Sequence, residues 1–171
     1  SLIEPGLGLI PIPHLIDVAI RWSACARLAD KTETEITQGI SKIWISLFGP
    51  MMVLVSDEES DIRGQAAFDW AQASGVSLKF KAPRQKAWIV ERHNEIVRQS
   101  LHRTESQLLK ENLVVTFVQV LAIVLFMKNS LTVVNQSTPY QALLGRQPAI
   151  LPPMEGGLSG ERDPLSRLET D

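Results

Sequence analysis

The stretch Trp44–Asp57, WISLFGPMMVLVSD, decides how the rest of this 171-residue chain is read. It leaves an apolar helical turn, meets Gly49-Pro50, which stops a helix, and enters Met51–Val55 (MMVLV). A short, continuously apolar run bounded in this way suits a strand buried on both faces. Asp57 then stands just past the C-terminal end of that strand, where open α/β sheets gather their ligands.

Working outward, the helix before this strand begins with Thr32 and Glu35 at capping-box spacing. Ile36, Ile40, Ile43, Trp44 and Leu47 recur along it at helical intervals and make one apolar face. Upstream, Leu15–Arg21 (LIDVAIR) and Ser23–Ala29 (SACARLA) read as two short strands, a hairpin around Trp22, behind an irregular Gly/Pro-rich lead-in over Ser1–Pro13. Downstream, a helix over Ile62–Ser74 turns Ile62, Ala66, Trp70 and Ala73 inward and ends at Gly75, and Val76–Phe80 alternates as a strand.

A long helix from Trp88 towards Glu111 follows, with Ile89, His93, Ile96, Val97, Ser100 and Leu101 on one stripe. An apolar helix spans Val114–Asn129, and Thr138–Leu144 starts with Thr before Pro and closes at Gly145. The order predicts an α/β protein, a mixed sheet with helices on both faces. It divides the chain into a lead-in (residues 1–13), one globular domain (14–148) and a disordered linker tail (149–171), whose Pro, Gly and charge carry no periodicity.

Composition excludes several classes. With 44% hydrophobic and 21% charged residues the chain is globular, and a net charge of −2 argues against a protein that coats nucleic acid, though not against local basic patches. One cysteine, Cys25, allows no internal disulfide, which predicts a reduced intracellular protein. Cys25 with the scattered His14, His93 and His102 cannot make a structural zinc cluster. Leu113–Met127 is shorter than the ~20 residues that span a bilayer, so a buried core helix is expected there. Ser1–Gly8 has neither the basic start nor the apolar run of a signal peptide, and the missing initiator methionine points to a fragment.

Phosphodiester chemistry is served by two divalent ions ~3.5–4 Å apart, held by carboxylates on rigid elements that meet at one point. Asp57, at a strand end, and Glu91, in the first turns of the long helix, are candidates. Glu91 and Glu95 share a face one turn apart, away from the apolar stripe. The competing reading makes these acids solvated surface charges. Lys79, Lys81, Arg84 and Lys86 form a basic stretch just before that helix, suited to phosphate contact or, equally, to a solvated loop.

These segments resemble the catalytic core of retrovirus and retrotransposon integrases. WISLFGPMMVLVSD (Trp44–Asp57) is similar to that family's segment ending in its second metal-binding aspartate. IVERHN (Ile89–Asn94) is similar to its "VER.N" element, whose glutamate is the third ligand. STPYQALLGRQP (Ser137–Pro148) looks like a segment of retrotransposon polyproteins, and the matches span His14 to Pro148.

The resemblance implies a ribonuclease H-like fold in which Asp57 and Glu91 bind Mg2+ or Mn2+. It also implies processing of DNA 3′ ends and their transfer into target DNA, with Arg92 and Asn94 joining the basic stretch against DNA. It implies a homo-oligomer acting on element ends and target DNA, intracellular and nuclear at its site of action, with no membrane partner. The attacking group is water or a DNA 3′-hydroxyl, so catalysis is positioning and charge neutralisation.

The chain departs from the family in two places. The family's first acid sits within a first strand, and Asp17 is the candidate here, but IDVAIRWSA looks more like the second strand. The first strand and its acid are then expected upstream of Ser1. In Ala82–Ile89 (APRQKAWI) the family's glycine is absent, and Trp88 either stacks on a base or packs in the core, the latter expected. Two alternatives stand beside the integrase core: a ribonuclease H-like nuclease, and a non-catalytic nucleic-acid-binding or dimerisation relic of the fold.

Overall fold

The computed structural model describes residues 2–4, 8–56, 62–81 and 88–148. Among these residues six short strands pair in three two-stranded sheets: β1 (Leu2–Glu4) with β2 (Gly8–Ile10), β3 (His14–Ile16) with β4 (Ser23–Cys25), and β5 (Val53–Ser56) with β6 (Ser77–Phe80). The first two pairs are antiparallel and the third is parallel, so both senses occur as expected, although the strands are divided rather than joined in one sheet. The lead-in, expected to be irregular, contains the β1–β2 pair with Leu2 opposite Ile10. Strands of three residues are too short to show alternation in sequence.

The hairpin over β3 and β4 turns at Asp17–Arg21, ahead of Trp22. The Asp17 carboxylate accepts the N–H groups of Ala19 and Ile20 at 2.8 Å each, and the Arg21 N–H donates to the Asp17 carbonyl. This is the turn chemistry of a short acidic side chain competing successfully with strand pairing.

Helix α1 (Glu33–Ile40) is capped by the Thr32 hydroxyl, which accepts the Glu35 N–H. It runs on through a five-residue π segment, Ser41–Ile45, into α2 (Ser46–Phe48), and stops at Gly49 (φ 78°), a left-handed angle that glycine tolerates. The wider π turn shifts the apolar face, so Leu47, expected inward, is 69% exposed. Phe48 instead meets the rings of Trp22 and Trp44 edge-on, at centroid distances of 6.0 and 5.2 Å.

Helix α3 (Gln65–Ser74) starts later than expected, after Gly64, whose N–H donates to the Glu33 carboxylate. Its buried residues are Ala67 and Ala71 rather than Ala66 and Ala73, while Trp70 donates to the Ser41 hydroxyl at 2.8 Å. Alanines carry so little apolar signal that a one-residue shift of the face is invisible in sequence.

Helices α4 (Trp88–Lys110) and α5 (Phe117–Leu131) pack together and hold the core: Val97 and Leu101 against Val120, Leu121 and Val124. The expected α4 stripe holds, with His93, Val97 and Leu101 buried. Among the described residues no helix is long and apolar enough to cross a membrane. Helix α6 (Pro139–Leu144) carries a complete capping box between Thr138 and Gln141. Thr138 is buried, so Thr138→Ala removes the cap with no water to replace it. We expect a loss of about 1–2 kcal/mol, read as a lower urea midpoint at unchanged slope.

Candidate functional site

Strand β5 was expected to be buried on both faces, yet Val53 and Val55 are 42% and 49% exposed, and Met52 before them 88%. Among the described residues β5 has only β6 as a neighbour. A groove of about 850 Å³ is lined by residues of β5, β3 and the first half of α4. The C-terminal end of β5 is tied to β6 by the Lys81 N–H, which donates to the Ser56 carbonyl at 2.9 Å. Ser56 and Lys81 both line the groove, as do Val90 and Asn94 from the first turns of α4.

Asp57, Arg84 and Lys86 lie outside the described residues. Glu91 and Arg92 are exposed on the first turns of α4, one and two positions beyond Val90. Lys79 is exposed on β6, and Lys81 is half-buried at its end. Trp88, expected in the core, is 64% exposed because it opens α4 ahead of the buried stripe. Asp17 lines the groove, with its carboxylate already bonded to two turn amides. Among the described residues no three His, Cys, Asp or Glu side chains come together as a metal site, so Asp17 and Glu91 do not by themselves fit a divalent ion.

Asn94 faces inward. Its amide oxygen accepts from His14 Nδ1, while His14 Nε2 accepts from the Ser23 hydroxyl at 2.8 Å. The seam continues through Asn129, whose amide accepts the Ser23 N–H and donates to the Ser23 carbonyl, both at 2.9 Å. Lys128, also buried, donates to the Arg21 carbonyl at 3.0 Å. These bonds fix the β3–β4 hairpin to α4 and α5, and so hold one wall of the groove. Sequence reading missed the seam because its bonds from the hairpin to α4 and α5 join residues 80 to 107 apart.

Burial shapes the protonation of the seam. It lowers the His14 pKa to about 4, against the Asn94 hydrogen bond, with the Lys128 charge adding to the lowering. His93 falls to about 4 by burial first and then by the nearby cations. Lys128 falls to about 8 by burial, and the Cys25 thiol is pushed up to about 12 for the same reason. Each shift disfavours the charged form, as removal from water requires.

Compared with solved structures, the chain superposes on the catalytic core domain of BIV integrase with a TM-score of 0.66. The two are 16% identical, over 80% of this chain and 86% of that one. The HTLV-2 integrase catalytic core domain, solved with magnesium in trimeric and dimeric forms, matches at TM-score 0.62 and 17% identity over 77% of this chain and 91% of that one. The chain has the fold of a retroviral integrase catalytic core. This integrase-core fold is also found in a chain of the simian T-cell lymphotropic virus intasome, solved with PP2A regulatory subunit B56 gamma. That chain has a TM-score of 0.66 and 18% identity over 90% of this chain. The present chain spans 59% of its length. No protein-family model matches the sequence. No curated protein matches it either. The α/β, ribonuclease H-like class expected from the order of elements therefore rests on three-dimensional likeness.

Proposed function

We propose that this chain is the core of an integrase-type polynucleotidyl transferase of a transposable element, acting on DNA ends, with Asp57 and Glu91 as acids of its reaction centre. The observation that carries this reading is the convergence of two elements on one groove. Ser56, the residue before Asp57, and Val90, the residue before Glu91, line the same groove. A strand end and a first helical turn are rigid supports for groups that must hold a phosphodiester in line. Magnesium or manganese belongs to the proposal, by analogy with the HTLV-2 core solved with magnesium. Lys79, Lys81 and Arg92 would neutralise phosphates beside it, together with Arg84 and Lys86. The site of action would be nuclear DNA within the cell.

Self-association belongs to the same reading. Val118, Ile123, Phe126 and Met127 leave an exposed apolar face on α5, of the kind that marks a protein interface. A second copy of the chain is the proposed cover, as the dimeric and trimeric HTLV-2 cores suggest.

The test is strand joining on labelled duplex ends with manganese, comparing the full-length protein, with its expected upstream strand, with its Glu91→Gln variant. We expect the variant to bind the duplex equally and to join it roughly 100-fold less or not at all, the scale of losing one preorganised charge-stabilising group. Equal joining by both would remove Glu91 from the reaction centre. Salt-dependent duplex binding with no joining by the unaltered full-length protein would replace this reading with a nucleic-acid-binding relic of the fold.

A further inference from the structure

Basic residues gather where the β3–β4 hairpin, α4 and α5 meet. Lys128, in the last turn of α5, is 4% exposed, and its Nζ has one hydrogen-bond partner among the described residues, the Arg21 carbonyl at 3.0 Å. An ammonium carries three N–H donors, and a charge taken out of water is costly until an opposite charge meets it. His93, on the inward stripe of α4, is 7% exposed, and its Nδ1 has no hydrogen-bond partner among the described residues. Buried polar atoms are nearly always bonded, so an orphan of this kind calls for an explanation.

The surroundings carry one sign. Among the described residues, the groups whose charge acts on His93 are Lys128, His14, Arg21 and Arg92, with no carboxylate between them. The group acting on Lys128 is the Cys25 thiol, which burial keeps protonated at neutral pH. The nearby acids are directed elsewhere. Glu91 and Glu95 are exposed, Glu95 is paired with Arg98 at 3.5 Å, and Asp17 is held by its turn amides.

Arg21 is set in place against the preference of its backbone. Its φ of 61° lies in the left-handed region, which a non-glycine residue seldom adopts. Its N–H donates to the Asp17 carbonyl and its own carbonyl accepts from Lys128, so the turn and α5 fix it from both sides. Such conformations persist where the surroundings over-determine them, often at sites with a task. From rear to mouth, Lys128 and His93 are buried, Arg21 is half-buried and Arg92 is exposed.

We propose that this junction is an oxyanion site. It takes one phosphate group, free or as a phosphodiester of DNA, between Arg21, Arg92 and Lys128, with His93 Nδ1–H as a further donor. Guanidinium forks match the oxygen spacing of phosphate, and an ammonium adds a compact point charge. None of these four residues lines the groove, and the site needs neither Asp57 nor Glu91, so it stands apart from the proposed reaction centre.

The probe is inorganic phosphate, titrated into the full chain at constant ionic strength with chloride as the balancing anion. Binding is read from the phosphorus NMR linewidth and from the urea midpoint, which rises when a ligand binds only the folded state. We expect both to saturate. Arg21→Gly is the deciding variant, because glycine accepts the left-handed angle and keeps the carbonyl that Lys128 bonds, so the guanidinium alone is lost. It should fold at least as stably as the parent and bind phosphate roughly tenfold more weakly, the scale of one charge-assisted hydrogen bond. Arg92→Gln, at an exposed position, should weaken binding in the same sense. A labelled DNA duplex separates the two sources. If the occupant is a phosphodiester of DNA, Arg21→Gly weakens duplex binding and lowers its salt slope by about one. If it is free phosphate, duplex binding is unchanged while the phosphate response is lost. No saturable response, or an equal response in the parent and both variants, overturns the proposal and leaves an adventitious ion only. Should Arg21→Gly fail to fold, Arg92→Gln decides.

Discussion

Replacing Asn129 by leucine is expected to cost about 4 kcal/mol, close to half the stability of an ordinary domain. Leucine matches asparagine in bulk, so the loss does not come from a cavity. It comes from Ser23, whose N–H and carbonyl are both buried and both satisfied by the one amide at 2.9 Å. A buried main-chain group left without a partner costs ~1–3 kcal/mol, and here two are stranded together. Urea unfolding checks this, with the fluorescence of Trp22 as a local probe. A shift below 1 kcal/mol would mean that the hairpin is not fastened through this residue.

The second large effect is acid sensitivity. The folded chain keeps His14 neutral down to about pH 4, whereas an unfolded histidine protonates near its ordinary 6.5. Between those values the unfolded state binds the extra proton. Stability is therefore complete above pH 6.5 and falls as pH drops towards 4, by about 3 kcal/mol from this group. His93 acts in the same sense. The gap between denaturant midpoints at pH 7.5 and 4.5 should narrow in a His14→Gln variant, since Gln carries no proton to gain and only the His93 part remains. An equal loss in both proteins would assign the effect to His93 or to carboxylates instead.

The parts of the fold legible in sequence are those where the signal is repeated or local. The α4 stripe recurs over several turns, and Thr138-Pro139 with Gly145 marks both ends of α6 by local chemistry. The capping box at Thr116 and Gln119 is equally local, yet the apolar run around it hid the true start of α5. The parts that were not legible depend on distant partners or on small shifts. MMVLV states what a strand is suited to bury, not whether a neighbour stands beside it, and Val53 and Val55 are open for that reason. The π segment moves Leu47 outward without any marker among Ser41–Ile45.

The same division runs through the candidate site. Glu91 is on the first turn of α4, as its place in IVERHN suggests, and on the exposed side. Asn94, three residues on, was grouped with it as a DNA contact, but its amide oxygen is taken by His14. Helical spacing tells which residues share a face. It does not tell what an 80-residue excursion of the chain brings opposite them.

Cys25 carries a consequence of another kind. Burial pushes its thiol up to about 12, so the thiolate, the form that attacks oxidants, alkylators or a disulfide, is scarce at neutral pH. The chain's one sulfhydryl is thus a slow nucleophile while the hairpin stays closed, and oxidants act on it far more slowly than on an ordinary exposed thiol.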